Sequence, residues 1–204
     1  MSYQIINEAH LFKSICKKLN DSSWIGLDTE FIGENTFYTE LCLIQVSSED
    51  GIFLFDPLNI PEIDPFIDII TNPAVTKIVH AGENDFRIFY DKFNIIPINV
   101  FDTQLATGFI GFKYPISFRD LVSGFLNKEI NKAYSLVDWK KRPLPDHFIR
   151  YAVNDVLFLK PLYDLLQNEM ESLNRTKWFI QESNKFYSYE FYQLDPYKDF
   201  KKSQ

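Results

Sequence analysis

Asp28 and Glu30 lie two residues apart, directly after the short apolar run Ser23-Trp24-Ile25-Gly26-Leu27. Along a strand, residues i and i+2 share a face, so the two carboxylates are presented to one point. An aspartate at the end of an apolar strand is costly to bury unless positive charge stands opposite it. Hard oxygen ligands held close together favour Mg²⁺ or Mn²⁺. Taken alone the pair is a weak sign, because most such pairs are solvated strand ends.

Two further acidic sites follow. His80-Ala81-Gly82-Glu83-Asn84-Asp85 comes after the apolar stretch from Val75. That order puts Asp85 in the first turn of a helix, at the carboxyl end of a strand, where open α/β sheets hold their ligands. Complementing the helix dipole is the simpler local reading of Asp85, and His80 alone reads as a packed, hydrogen-bonded histidine. In Tyr151-Ala152-Val153-Asn154-Asp155, residues i and i+4 share a helical face. The Tyr151 hydroxyl and the Asp155 carboxylate therefore reach toward the same space. The local alternative is an amphipathic helix with a packed tyrosine and a solvated aspartate.

The elements that must position these groups alternate along the first half of the chain. Glu8 to Leu19 has helical apolar spacing, Ser23 to Asp28 reads as a strand, and Pro65 to Ile70 as a short helix. Leu41 to Ser47 and Gly51 to Phe55 flank Ser48-Glu49-Asp50, a connection that fits a hairpin. Val75 to His80 predicts a buried strand and Glu83 to Phe93 a helix. After Pro97 to Phe101 the chain turns mostly helical: Asp102 to Ile110, Phe118 to Phe125, and about Asp146 to Leu173, where Pro161 should kink or split the helix. Such an order predicts an α/β fold with a mixed central sheet flanked by helices. A candidate boundary near Asn174 separates residues 1–173 from an extension, 174–204, which forms no separate domain.

Composition narrows the class. The 204 residues suit about one domain, and 46% hydrophobic residues with 20 Phe and 11 Tyr give ample core. Twenty-one Lys and Arg against 28 Asp and Glu leave a net charge of −7, so bulk charge does not draw this chain to nucleic acid. A polyanion must be bound through a local basic strip or through metal ions held by carboxylates. Lys128, Lys132, Lys140, Lys141 and Arg142 outnumber Glu129 and Asp138 in one such strip. Cys16 and Cys42 form no disulfide framework and no CxxC pair, which suits a reducing cytosol. No apolar run is long enough to span a bilayer, and the N-terminus does not read as a signal peptide. A cytoplasmic protein without a membrane partner is expected.

Taken together, Asp28, Glu30, Asp85 and Asp155, with Tyr151 four residues before the last, resemble the DEDDy branch of the DnaQ-like 3′–5′ exonucleases. The segments Asp28 to Phe31, Leu41 to Val46, Leu54 to Pro57, His80-Ala81, Phe101 to Gln104, Asp138-Trp139, Arg142 to Leu144 and Tyr151 to Asp155 are similar to ribonuclease D. The resemblance covers roughly Trp24 to Leu166. It implies a ribonuclease H-like fold and metal-dependent hydrolysis of 3′-terminal phosphodiesters, on RNA or short oligonucleotides, releasing 5′-mononucleotides. It implies two divalent ions, Mg²⁺ or Mn²⁺. Asp28 would bridge both, Glu30 and Asp155 would complete the first, and Asp85 would support the second through water. Tyr151 would orient the attacking water. Thr29, Phe31, His80, Asn84 and Arg142 are the expected substrate contacts, with Phe31 a stacking platform whose rival role is core packing. Ribonuclease D proteins continue into helical HRDC domains, and a short form lacking them is expected here. Short relatives that assemble into rings also exist, so a homo-oligomer is open. A DNA-directed exonuclease and a silent nucleic-acid-binding module are the competing readings.

Overall fold

The computed structural model describes residues 2–33, 39–60, 62–130 and 137–193. Among them, β1 (Tyr3–Ile6), β2 (Trp24–Ile32), β3 (Glu40–Ser48), β4 (Gly51–Phe55), β5 (Thr76–Val79) and β6 (Val100–Asp102) form one sheet in the order β1-β4-β3-β2-β5-β6. β3 runs antiparallel to β2 and β4, while β1–β4, β2–β5 and β5–β6 are parallel. The sheet is mixed, as the sequence order predicts.

Strand alternation divides the apolar residues between two cores. Ile25, Leu27, Ile44, Val46, Phe53 and Phe55 face α1 (Ala9–Asn20), α2 (Asp64–Thr71) and α3 (Glu83–Phe93). Leu43, Ile52 and Leu54 face α4 (Thr103–Phe109), α5 (Phe118–Leu126), α6 (Asp146–Leu157) and α7 (Leu159–Ser172). On β2, Gly26, Asp28 and Glu30 alternate with Ile25 and Leu27, so both acids lie on the α6 side.

Several elements differ from expectation, each for a physical reason. β2 continues to Ile32 because β3 pairs with it as far as Glu40, across a register shift between Glu30 and Phe31. Cross-strand pairing here outweighs the polar interruption. The hairpin connection is two residues, Glu49-Asp50, since Ser48 pairs with Gly51, whose φ of 134° suits glycine. The long helix divides at Phe158, which ends α6 and begins α7. Pro161 then falls in the first turn of α7, where its missing N–H leaves no helical bond unmade.

The chain beyond Leu173 packs on the same body. α8 (Thr176–Phe186) and α9 (Tyr189–Gln193) follow α7; Phe179 enters one core and Tyr187 and Tyr192 the other. Ser183 donates to the Val100 carbonyl at 3.1 Å, so α8 covers the open edge of β6. Both cysteines are free and buried. No helix among the described residues is long and apolar enough to cross a membrane.

Candidate active site

Asp28 and Glu30 project from β2 toward α6, which carries Tyr151 and Asp155. α6 comes close because the strands carry little there. Ser47, opposite Gly26, donates to the Val156 carbonyl at 2.9 Å. A Cβ on Gly26 would strike Ser47 and stand 3.2 Å from Leu159 Cδ1. The result brings one carboxylate oxygen each of Asp28, Glu30 and Asp155 within 4.8 Å of one another. Gln45, opposite Asp28 on β3, reaches the Glu30 carboxylate with its amide nitrogen at 3.5 Å.

Asp85 arrives from the other side of the strand. It lies in the first turn of α3 and accepts at Oδ1 from the Thr29 amide at 3.0 Å and the Thr29 hydroxyl at 2.5 Å. A carboxylate tethered twice in this way has little freedom to swing.

The electrostatics are those of a crowded, partly dehydrated anion cluster. Burial pushes Asp28 well above the carboxylate range, and Asp85, Asp155 and Glu30 add repulsion. Burial, then Asp155 and Asp85, pushes Glu30 up to about 9. Asp155 rises to about 7 through burial, with the Tyr151 hydroxyl opposing the rise. Asp85 rises to about 6 through burial, held back by its bonds from Thr29. Among the described residues no Lys, Arg or His forms an ion pair with any of the four. Asp155 Oδ2 is buried without a hydrogen-bond partner, a situation that normally costs about 1–3 kcal/mol or more for a charged group. Oxygen donors crowded together, with no paired cation among the described residues, fit a metal ion that Asp28, Glu30 and Asp155 could hold with Asp85 beside them.

Tyr151 borders this cluster, its ring partly buried and tilted 6.1 Å from the Trp139 ring. Burial, then Asp155, Glu30 and Asp28, raises the Tyr151 phenol above its ordinary value, and its hydroxyl hydrogen-bonds to Asp155. The proton stays on. Tyr151 is therefore built to donate a hydrogen bond, not to take up a proton.

The expected substrate contacts divide differently. Thr29 is buried and spends its hydroxyl on Asp85. Asn84 is exposed on the first turn of α3. Phe31 points away from Asp28 and Glu30 and packs, half-buried, against the α1–α3 core. His80 has both ring nitrogens engaged, Nδ1 with Thr103 Oγ1 at 2.9 Å and Nε2 with the Ile116 carbonyl at 3.1 Å. The packed-histidine description is the one its geometry matches. Arg142 differs most from expectation. Its Nε and Nη2 grip Asp56 at 2.7 and 2.8 Å, Nη2 also meets the Cys42 carbonyl, and Nη1 meets those of Trp139 and Lys141. The guanidinium is a clamp within the protein, not a hand held out to phosphate, because burial of Asp56 demands a paired charge. In the basic strip, Lys132 lies outside the described residues, Lys140 pairs with Glu40, and Lys128 and Lys141 are exposed.

One residue the sequence left without a role is Asp102. It sits at the end of β6, caps α4 through Gln104 and Leu105 at 2.8 and 3.3 Å, and is 5% exposed. It also accepts from the amides of Ala81 and Gly82 at 3.0 and 3.2 Å and from the Tyr187 hydroxyl at 2.8 Å. An acid just before a helical run signals the cap; no local pattern signals the other three donors.

The 3′–5′ exonuclease family model matches residues 3–171. Ribonuclease D of Bartonella henselae is 37% identical over 166 residues, covering 80% of this chain and 41% of that protein. Ribonuclease D of Haemophilus influenzae is 34% identical over 176 residues, covering 86% and 43%. The crystal structure of Escherichia coli RNase D, an exoribonuclease involved in structured RNA processing, matches with a TM-score of 0.86 at 32% identity, over 91% of this chain and 50% of that one. Brucella melitensis NrnC matches with a TM-score of 0.72 at 23% identity, over 87% and 84%, a likeness of fold. The chain spans about half the length of the curated relatives it matches.

Proposed function

Because the chain belongs to the 3′–5′ exonuclease family, with the ribonuclease H-like fold, we propose that it is a metal-dependent 3′–5′ exoribonuclease that releases 5′-mononucleotides from RNA ends or short oligonucleotides. The observation that carries this reading is the Asp28–Glu30–Asp155 cluster beside Tyr151, with Asp155 Oδ2 buried and partnerless. Two divalent ions, Mg²⁺ or Mn²⁺, would supply charge for the attacking and leaving oxygens of the phosphodiester and lower the pKa of water. Asp28 would be shared between them, Glu30 and Asp155 would hold one, and Asp85, fixed by Thr29, would serve the other. With its one proton given to Asp155 and retained among these anions, the Tyr151 hydroxyl oxygen would accept a hydrogen bond from the attacking water and orient it. RNA is favoured over DNA by the ribonuclease D relatives.

The catalytic domain is read as residues 1–173, with 174–204 an extension and no separate domain; Phe179, Tyr187 and Tyr192 entering the same cores support this. A cytoplasmic site of action is supported by two free, buried cysteines. The test is end-labelled RNA, DNA and dinucleotides incubated with Mg²⁺, Mn²⁺ or chelator, with products resolved by length. Metal-dependent ladders shortening one nucleotide at a time from the 3′ end are expected, faster on RNA. A DNA preference would redirect the substrate assignment. Internal cuts, or binding without cleavage, would overturn the reading.

A further inference from the structure

α3 enters the site without a side-chain cap. Its N-cap is Gly82, and the residue before it, Ala81, has a φ of 56°, in the left-handed region that a residue with a Cβ rarely adopts. Gly82 has no room for a side chain, since a Cβ there would stand 2.7 Å from Val79 Cγ2. The turn that aims Asp85 is therefore held largely from outside, by the two oxygens of Asp102, one on each successive amide. Asp102 is in turn fixed by its cap bonds to α4 and by the Tyr187 hydroxyl. Tyr187 closes α8, beyond residues 3–171 that the family model matches, and its ring packs edge-on against Phe86, the residue after Asp85, with centroids 5.4 Å apart.

We propose that Asp102 and Tyr187 are positioning residues for Asp85, so that the segment 176–193 is a working part of the active site and not a tail. The relay runs from the Tyr187 hydroxyl through the Asp102 carboxylate to the amides of Ala81 and Gly82, and by the rigid first turn of α3 to Asp85. The role assigned to Asp85 rests on the nuclease reading; the mechanical link does not.

The test compares Tyr187→Phe, Asp102→Asn and the control Tyr192→Phe in the full chain. Tyr192 belongs to the same segment, but its hydroxyl is buried without a hydrogen-bond partner, so its loss should leave both rate and turn unchanged. In Tyr187→Phe the ring and packing remain. Amide hydrogen exchange across residues 81–86 should quicken several-fold while peptides from β2 stay unchanged. With RNA, kcat should fall about 3- to 10-fold at constant KM, on the scale of one lost positioning hydrogen bond, and should recover in part as Mn²⁺ is raised. Asp102→Asn should show the same pattern, larger, and Tyr187→Phe decides the matter if that variant folds poorly. Unchanged exchange at 81–86 in Tyr187→Phe overturns the relay, and so does faster exchange with an unchanged kcat. A wild-type protein that releases no nucleotide refutes the nuclease reading and with it the role given to Asp85, while the exchange measurement still decides whether the relay holds the turn.

Discussion

Asp102 and Asp155 are both acids drawn into the protein interior, and they live in opposite circumstances. Asp102 accepts five hydrogen bonds, from four amides and a phenol, and needs no cation to settle it. Asp155 shares one oxygen with Tyr151, keeps the other buried without a partner, and faces Asp28 and Glu30. The fold saturates the acid it uses as a fastener and starves the acids it reserves for something that is not protein. Asp56, gripped by Arg142, belongs with the first kind. The distinction follows from the cost of a buried anion: it must be met by donors during folding, or the surrounding packing must hold it in place until a cation arrives.

The severest trial of this contrast is Asp28→Ala. Removing a starved acid should abolish turnover, a loss beyond about 10³-fold or about 4 kcal/mol on the barrier. The melting temperature without metal should stay level or rise, because repulsion is relieved. An Asp28→Ala enzyme that keeps more than a few per cent of its activity would break the assignment.

Tyr151→Phe sharpens it next. All four acids and the ring remain, so metal binding and stability should change little. Single-turnover cleavage should slow by roughly 10²–10³, about 3–4 kcal/mol. A normal rate would demote Tyr151 to a packed core aromatic.

On the saturated side the pattern should reverse. Asp56→Asn leaves the half-buried Arg142 fork without its counter-charge and should cost about 2–3 kcal/mol of stability in urea unfolding. Metal affinity should be nearly untouched; a large fall in metal binding with normal stability would contradict the division.

The smallest effect is read from pH. Asp85, Asp155 and Glu30 have folded pKa values near 6, 7 and 9, above those of an unfolded chain. The stability these groups confer is fully present below about pH 4 and is lost as pH rises through those values, by at most about 1.4 kcal/mol per pH unit for each proton released. Asp56 behaves oppositely: Arg142 and Asn59 outweigh burial and lower it, so its contribution is present above about pH 4 and lost in acid. Metal-free melting temperatures should therefore fall from pH 5 to 9, and saturating Mn²⁺ should flatten the slope. A metal-free profile that rises over this window would show that the acids are not starved.

What the sequence made legible was what periodicity can reach. The two-residue spacing of Asp28 and Glu30 and the four-residue spacing of Tyr151 and Asp155 each put two groups on one face. The sheet's mixed character followed from the element order. The support was hidden. Ala81, Gly82 and Tyr187 converge on Asp102 across 21, 20 and 85 positions of chain, and no local pattern encodes such meetings. Arg142 looked available for phosphate because its partner Asp56 lies 86 residues away. β1 escaped notice because four residues, three of them exposed at the sheet edge, carry almost no alternation.

The bare surface at Gly26 has a bearing on how freely this chain can drift over generations. Side chains elsewhere in the cores can trade volume with their neighbours, since Phe, Leu and Ile there adjust to one another. At Gly26 the α6–α7 junction rests on backbone and on the Ser47 hydroxyl, and Val156, bonded to that hydroxyl, follows Asp155 directly. A single methyl would act as a shim beneath α6, lifting Asp155 from Asp28 while leaving every charged group in place. A position with no chemistry of its own thus sets the seat of Asp155, by the thickness of the part that must be absent.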